Sequence, residues 1–68
     1  SGVRIYPLSE IQGYSIKPVI NSRHLLVLHL LRFPKRLYLP AGHSKETALQ
    51  LVQELEQMAE KSLKLKRF

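Results

Sequence analysis

The sequence has no cysteine, no aspartate and no tryptophan, and these absences exclude several kinds of chemistry. Without cysteine there is no disulfide framework, no thiolate zinc site and no thiol nucleophile. The five carboxylate side chains of this 68-residue chain are all Glu, and four of them lie in residues 46–60. A chain of this length forms at most one small domain, which is small for a self-contained catalytic fold. We therefore expect a non-catalytic protein rather than an enzyme.

Long apolar runs are also lacking. The longest run, Leu25 to Leu31, is interrupted by His29, whereas a transmembrane helix needs about 20 apolar residues. The apolar start of the chain is interrupted by Arg4 and Pro7, so no signal peptide is visible. We expect residues 1–68 to be one small soluble domain that is a piece of a larger protein.

The residues that commonly hold metals and phosphates are not grouped. His24 and His29 are five residues apart, His43 follows a loop signal, and no His-x-x-x-His spacing occurs. The three glycines are isolated, so there is no phosphate-binding loop. We expect no metal, no cofactor and no small-molecule substrate. His29 is interpreted as a partly buried imidazole on an apolar face, or as a residue that contacts a partner.

Four segments are predicted to be strands: 3–8, 14–20, 25–33 and 36–39. Apolar and polar residues alternate in three of them, as in half-buried strands, whereas 25–33 is apolar on both faces. Pro7 and Pro18 assign the first two to sheet edges or ends, because proline has no N–H to donate. Pro34 and Lys35 suit a tight turn, so the last two segments are expected to form an antiparallel hairpin.

A C-terminal amphipathic helix is predicted for residues 44–63. Ser44 is a good N-cap, and Glu46 lies at the positive end of the helix dipole. Apolar or small residues then recur at three- and four-residue spacing, which gives one apolar stripe; these are Ala48, Leu51, Val52, Leu55, Met58, Ala59 and Ser62. The stripe predicts a helix that packs on one face of the sheet.

The predicted architecture is α+β: an antiparallel sheet of three to four strands within residues 3–40, the helix at 44–63, and a basic tail at 64–68. The expected core combines the apolar faces of the strands with the helix stripe. It contains Ile5, Ile11, Ile16, Leu26, Leu28, Leu30, Leu37, Leu39, Val52, Leu55, Met58 and Ala59.

The third predicted strand has two apolar faces. Leu26, Leu28 and Leu30 alternate with a second set, and a strand with two apolar faces needs a covering layer on both sides. The second set is predicted to be an interface and contains Leu25, Val27, His29, Leu31 and Phe33. Its partner is expected to be a protein: the rest of the parent chain, or a second copy in a homodimer.

The net charge of +6 is unevenly distributed. Counting Lys and Arg against Glu, residues 1–43 carry 6 − 1 = +5, residues 44–60 carry 1 − 4 = −3, and residues 61–68 carry +4. Basic clusters attract anionic partners, although they can also simply solubilise a surface. The residues predicted to bind an anionic surface are Arg32, Lys35, Arg36, Lys64, Lys66 and Arg67.

The order of strands, hairpin and closing helix resembles the later half of a bacterial pleckstrin-homology-like domain. The resemblance covers residues 5–60 and is carried by Ile5-Tyr6-Pro7-Leu8-Ser9-Glu10-Ile11, the turn before Arg36-Leu37-Tyr38-Leu39-Pro40, and the closing helix. It implies an interaction domain of a membrane protein of unknown role. A full domain of that family has about seven strands and an early lipid-contacting loop, for which this chain has no room, so no ligand residue is carried over.

These observations favour an interaction or assembly module, expected to be the cytosolic portion of a membrane protein and to lie on the cytoplasmic side of that membrane. An anionic membrane surface is one expected partner. The alternative is a small basic nucleic-acid-binding domain, with Tyr6, Tyr14, Tyr38 and Phe33 available for base stacking.

Overall fold

The computed structural model describes residues 7–67 and confirms the α+β class. A 3-10 turn at Leu8–Glu10 leads into β1 (Ile11–Pro18), and a second 3-10 turn at Ile20–Ser22 leads into β2 (His24–Leu30). Strand β3 (Arg36–Pro40), helix α1 (Lys45–Ala59) and strand β4 (Lys64–Leu65) follow. Residues 3–6 of the strand predicted at 3–8, including the core residue Ile5, lie outside the described residues; Pro7 has extended backbone angles and Leu8 belongs to the 3-10 turn.

The four strands form one sheet in the order β3-β2-β1-β4. Strands β1 and β2 are antiparallel, as are β2 and β3, so the predicted hairpin is confirmed with Leu26 opposite Leu39 and Leu28 opposite Leu37. The sheet is not wholly antiparallel, because β4 runs parallel to β1 and pairs Lys64 with Gly13. A register shift between Ile11 and Gly13 marks a bulge near the start of β1.

Helix α1 begins where the cap signal places it. The Ser44 hydroxyl accepts a hydrogen bond from the Thr47 amide at 3.1 Å, and Ser44 itself has extended backbone angles, as an N-cap requires. Before the cap, Gly42 has φ 82°, and a Cβ there would lie 2.9 Å from Cγ2 of Thr47. Glycine is therefore needed at this position for both its backbone angle and its lack of a side chain.

The helix is shorter than predicted and ends at Ala59 rather than at residue 63. Glu60 adopts a left-handed conformation (φ 55°, ψ 39°), and its amide donates to the carbonyl of Gln57 at 3.3 Å. The Lys61 amide donates to the carbonyl of Glu56 at 3.2 Å, which completes a Schellman pattern. The chain turns here without the Gly or Asn that usually marks such an end.

Residues 64–68 were predicted to be a basic tail, but Lys64 and Leu65 form β4. The turn after the helix is held by the Glu56 carboxylate, which accepts a hydrogen bond from the Leu63 amide at 2.7 Å. Leu63 is thereby buried in the core with 6% of its surface exposed, and the following residues run beside β1. Leu63 was predicted to be the last residue of the helix. The burial of its apolar side chain explains why the chain instead returns to the sheet.

The core lies between α1 and one face of the sheet. The predicted core residues Ile11, Leu26, Leu28, Leu30 and Val52 are buried, and Ile16, Leu37, Leu39 and Leu55 pack against them while partly exposed. Met58 was predicted to be core but is 62% exposed, because 3.6 residues per turn place its side chain about 120° around the helix from the buried Val52. Ala41, Ala48 and Leu63 complete the buried cluster.

Candidate functional site

The loop between β2 and β3 forms an exposed tip that is both apolar and basic. We call Leu31, Arg32, Phe33, Lys35 and Arg36 the hairpin tip. Phe33 is 88% exposed and Leu31 50% exposed, which is unusual for side chains of this size. The three basic residues are also exposed, and the Lys35 ammonium donates a hydrogen bond to the carbonyl of Leu31 at 2.9 Å.

The sequence around the hairpin tip contains no opposing charge. No Asp or Glu occurs between Glu10 and Glu46, whereas this stretch contains six Lys or Arg residues. Most of the acidic residues lie instead on α1 or directly after it: Glu46 and Glu54 are exposed on the helix, and Glu60 is exposed at its C-cap. The charge is therefore polarised between the hairpin tip and the outer side of the helix.

The remaining predicted basic residues lie apart from the tip. Pairing across the sheet places Arg36, His29, Gly13 and Lys64 in one row, so Lys64 projects from the same face as Arg36. Three interstrand steps separate these two residues by roughly 14 Å. Lys66 lies two rows farther along β1, beside Ser15, and its side chain lies over Gly13. The structure therefore groups Arg32, Lys35 and Arg36, and it places the backbone of Lys64, Lys66 and Arg67 at the opposite edge of the sheet.

The predicted interface residues differ widely in exposure. Leu25, Val27 and His29 share the face of β2 that points away from the core cluster, but Val27 is fully buried and the other two are half-buried. Leu31 and Phe33 lie beyond the end of β2, in the hairpin tip. The most exposed part of the predicted interface is thus the hairpin tip, and Val27 offers no surface to a partner.

A buried polar contact lies on that same face of the sheet. Ser15 is 1% exposed, and its hydroxyl lies 2.7 Å from Nε2 of His29 and donates to the carbonyl of Lys66 at 2.8 Å. A hydroxyl has one hydrogen, and the hydrogen of Ser15 is donated to the Lys66 carbonyl. Ser15 therefore accepts a hydrogen bond from the Nε2–H of His29. A serine nucleophile needs the opposite arrangement, in which the imidazole accepts the hydroxyl proton. The contact is therefore not arranged for nucleophilic attack. It connects β1, β2 and the segment after β4.

The surroundings of His29 disfavour its protonation. Burial is the main cause of the lowered pKa of His29, and the positive charges of Arg36 and Lys66 lower that pKa further. The imidazole is consequently neutral near pH 7, with its proton on Nε2. The sequence indicated a partly buried His29, but it gave no sign of its contact with Ser15, because the two residues lie in different strands.

The described part of the chain gives no sign of a metal centre. Among residues 7–67, no three His, Cys, Asp or Glu side chains are close enough together to hold a metal ion. His24 and His43 line the same shallow pocket, but Nδ1 of His24 lies 3.1 Å from the carbonyl of Ser22, which ties that ring to its own turn. No helix within the same residues is long and apolar enough to traverse a bilayer.

Comparison with known proteins gives no relative from which a function could be inferred: no family model, curated protein or solved structure matches this chain. The resemblance to the pleckstrin-homology-like family stays a prediction.

Proposed function

We propose that this chain is a non-catalytic interaction module that binds an anionic membrane surface through the hairpin tip. The main support is the combination of an 88%-exposed Phe33 with three neighbouring basic side chains at one extremity of the sheet. Exposed aromatic rings enter the interfacial region of a bilayer, and neighbouring Lys and Arg residues bind anionic headgroups. On this proposal the domain acts on the cytoplasmic side of a membrane, as part of a membrane protein.

The charge distribution supports one orientation of the bound domain. Each basic residue near an anionic surface contributes about 1 kcal/mol, so Arg32, Lys35 and Arg36 together contribute roughly 3 kcal/mol, or more than a hundredfold in affinity. The acidic residues exposed on α1 would be repelled by the same surface. The hairpin tip therefore points toward the membrane and the outer side of the helix points away from it.

The test is co-sedimentation with phosphatidylcholine vesicles that either contain or lack phosphatidylserine. We expect binding only with phosphatidylserine, and we expect that binding to be lost at high salt. Arg32→Gln should lower the affinity about fivefold, which corresponds to about 1 kcal/mol. Phe33→Ser should weaken binding further, because the ring no longer enters the interface.

The opposite end of the sheet provides matched controls. Ile20 is 82% exposed and Arg23 is exposed, yet both lie at the end of β2 that is remote from the hairpin tip. Ile20→Ser and Arg23→Gln should leave vesicle binding unchanged. Equal binding to neutral vesicles, or equal losses from the tip and control variants, would disprove binding through the hairpin tip.

A nucleic-acid-binding module is the second candidate. It is favoured by Tyr38, which is 54% exposed on β3, the strand next to the tip. Tyr38 lies two residues after Arg36 and shares its face of the sheet. Exposed aromatic rings beside basic residues stack on unpaired bases. A salt-dependent gel shift with single-stranded RNA that is weakened by Tyr38→Ala, together with no vesicle binding, would support this alternative over the first proposal.

A further inference from the structure

The edge of β1 next to β4 opens into a groove of about 450 Å³. The groove lies between this edge and the first turns of α1. Its walls include the apolar side chains of Ile16, Leu49 and Leu65, and Leu65 is 68% exposed. Lys45 and Arg67 also line it, and within residues 7–67 no Glu side chain does.

Backbone groups of β1 point into this groove. Strand β4 pairs only with Gly13 and Tyr14, and the Lys66 amide donates to the carbonyl of Tyr14 at 2.7 Å. The Lys66 carbonyl then accepts from the Ser15 side chain instead of continuing the ladder. Backbone groups of alternate residues point to the same edge of a strand, so the N–H and C=O of Ile16 face the groove beyond the end of β4.

These features together define one kind of occupant. We infer that the groove binds an extended acidic peptide segment, which adds to the sheet as a short strand beside Ile16. An exposed strand edge presents unpaired backbone N–H and C=O groups in alternation, and the C=O and N–H groups of an extended peptide can pair with them. The peptide residue opposite Ile16 directs its side chain toward Leu49, where an apolar side chain is favoured.

The charges around the groove determine which residues flank the apolar one. Lys45 and Arg67 are both exposed at the groove, and no Glu side chain lies among the described residues that line it. Successive side chains of a strand point to opposite faces, so the residues that share the helix-facing side with the apolar residue lie two positions before and after it. Glu or Asp at those two positions complements the two cations, whereas Lys or Arg there would be repelled. The preferred segment therefore has an acidic residue two positions to each side of the apolar one. This site is separate from the hairpin tip and does not depend on membrane binding.

The test is an NMR titration of the full chain with blocked peptides of the sequence Glu-Gly-Val-Gly-Glu and Lys-Gly-Val-Gly-Lys. With the Glu peptide we expect saturable shifts at the Ile16 and Leu49 amides and slower hydrogen exchange of the Ile16 amide, because that N–H gains an acceptor. With the Lys peptide we expect no saturable shifts. A Glu-Gly-Gly-Gly-Glu peptide should bind more weakly than the Val-containing peptide.

Charge-reversal variants test the recognition by charge. Lys45→Glu combined with Arg67→Glu should weaken binding of the Glu peptide at least tenfold. Arg32→Glu, at the hairpin tip, is the matched control and should leave that binding unchanged. The inference is overturned if both peptides shift the same amides equally or if the control variant weakens binding as much as the double variant.

Two other occupants of the groove would also overturn the inference. If the Ile16 amide shifts with protein concentration in the absence of peptide, a second copy of this chain is the occupant. If laurate, but neither peptide, shifts the Ile16 and Leu49 amides, the groove takes an acyl chain.

Discussion

Gly13 permits the close approach of the chain after β4, and Gly13→Ala tests how much this approach stabilises the fold. A Cβ at this position would overlap the carbonyl oxygen of Lys64 and would lie 2.8 Å from Cε and 2.9 Å from Cγ of Lys66. The lysine side chain can move, but the carbonyl oxygen belongs to the backbone of β4. We therefore expect the substitution to displace β4 from β1.

The expected cost follows from the contacts that the displacement would break. The Lys66 amide bond to Tyr14, at 2.7 Å, and the Ser15 hydroxyl bond to Lys66, at 2.8 Å, contribute about 1 kcal/mol each. Partial exposure of Leu63 adds roughly 1 kcal/mol. Replacing Gly by Ala restricts the unfolded chain and returns about 0.4–1 kcal/mol. The net expectation is a loss of about 2 kcal/mol in the free energy of unfolding.

Urea denaturation of the wild type and Gly13→Ala measures this loss, and hydrogen exchange at Lys66 shows whether β4 has moved. Gly13→Ala combined with Lys66→Ala is the informative control. If the carbonyl of Lys64 is the obstacle, removing the lysine side chain recovers little stability. A Gly13→Ala protein that is as stable as the wild type and keeps a protected Lys66 amide would refute this reasoning.

Two further predictions concern single residues. The pKa of His29 is lowered in the folded protein, so as the pH falls the unfolded chain takes up a proton at this residue first. The free energy of unfolding is therefore fully retained above pH about 6.5, the ordinary pKa of histidine, and decreases below it. His29→Gln keeps an N–H for Ser15 and should show a smaller decrease in urea titrations between pH 7 and 5; identical pH dependence in both proteins would contradict this. Glu60→Gly should stabilise the protein by about 1 kcal/mol, because glycine adopts the left-handed conformation without steric cost, and a lowered midpoint in the same urea assay would contradict that explanation.

The local features of the fold could be predicted from the sequence. The β2–β3 hairpin follows from an apolar segment before Pro34 and an alternating segment after it, and the start of α1 follows from Ser44 before an apolar stripe. The hairpin tip was also predictable in part, because Arg32, Lys35 and Arg36 are close in the sequence and remain close in the loop. The sequence suggested that Leu31 and Phe33 continue a strand, whereas β2 ends at Leu30 and leaves Phe33 exposed.

The features that were missed depend on contacts between distant segments. Glu60 ends the helix in a conformation that its residue type does not favour, so no residue type before Leu63 marks the end of the helix. Strand β4 has only two residues, too few for a periodic pattern, and Ser15 contacts Lys66 across 51 positions of sequence. The groove beside Ile16 could not be predicted for the same reason, since three separate segments form it.

The parallel pairing of β4 with β1 also has a consequence for the order in which the fold can be completed during synthesis. The β1–β2 and β2–β3 ladders join segments that are neighbours along the chain, so they can form while the polypeptide is still emerging from the ribosome. The other edge of β1 stays uncovered until residues 64–66 have been made, about fifty residues later. During that interval the exposed edge of β1 is able to pair with a strand from another nascent chain, which leads to aggregation. A ribosome that stalls while it translates the helix would lengthen the time during which this pairing can occur.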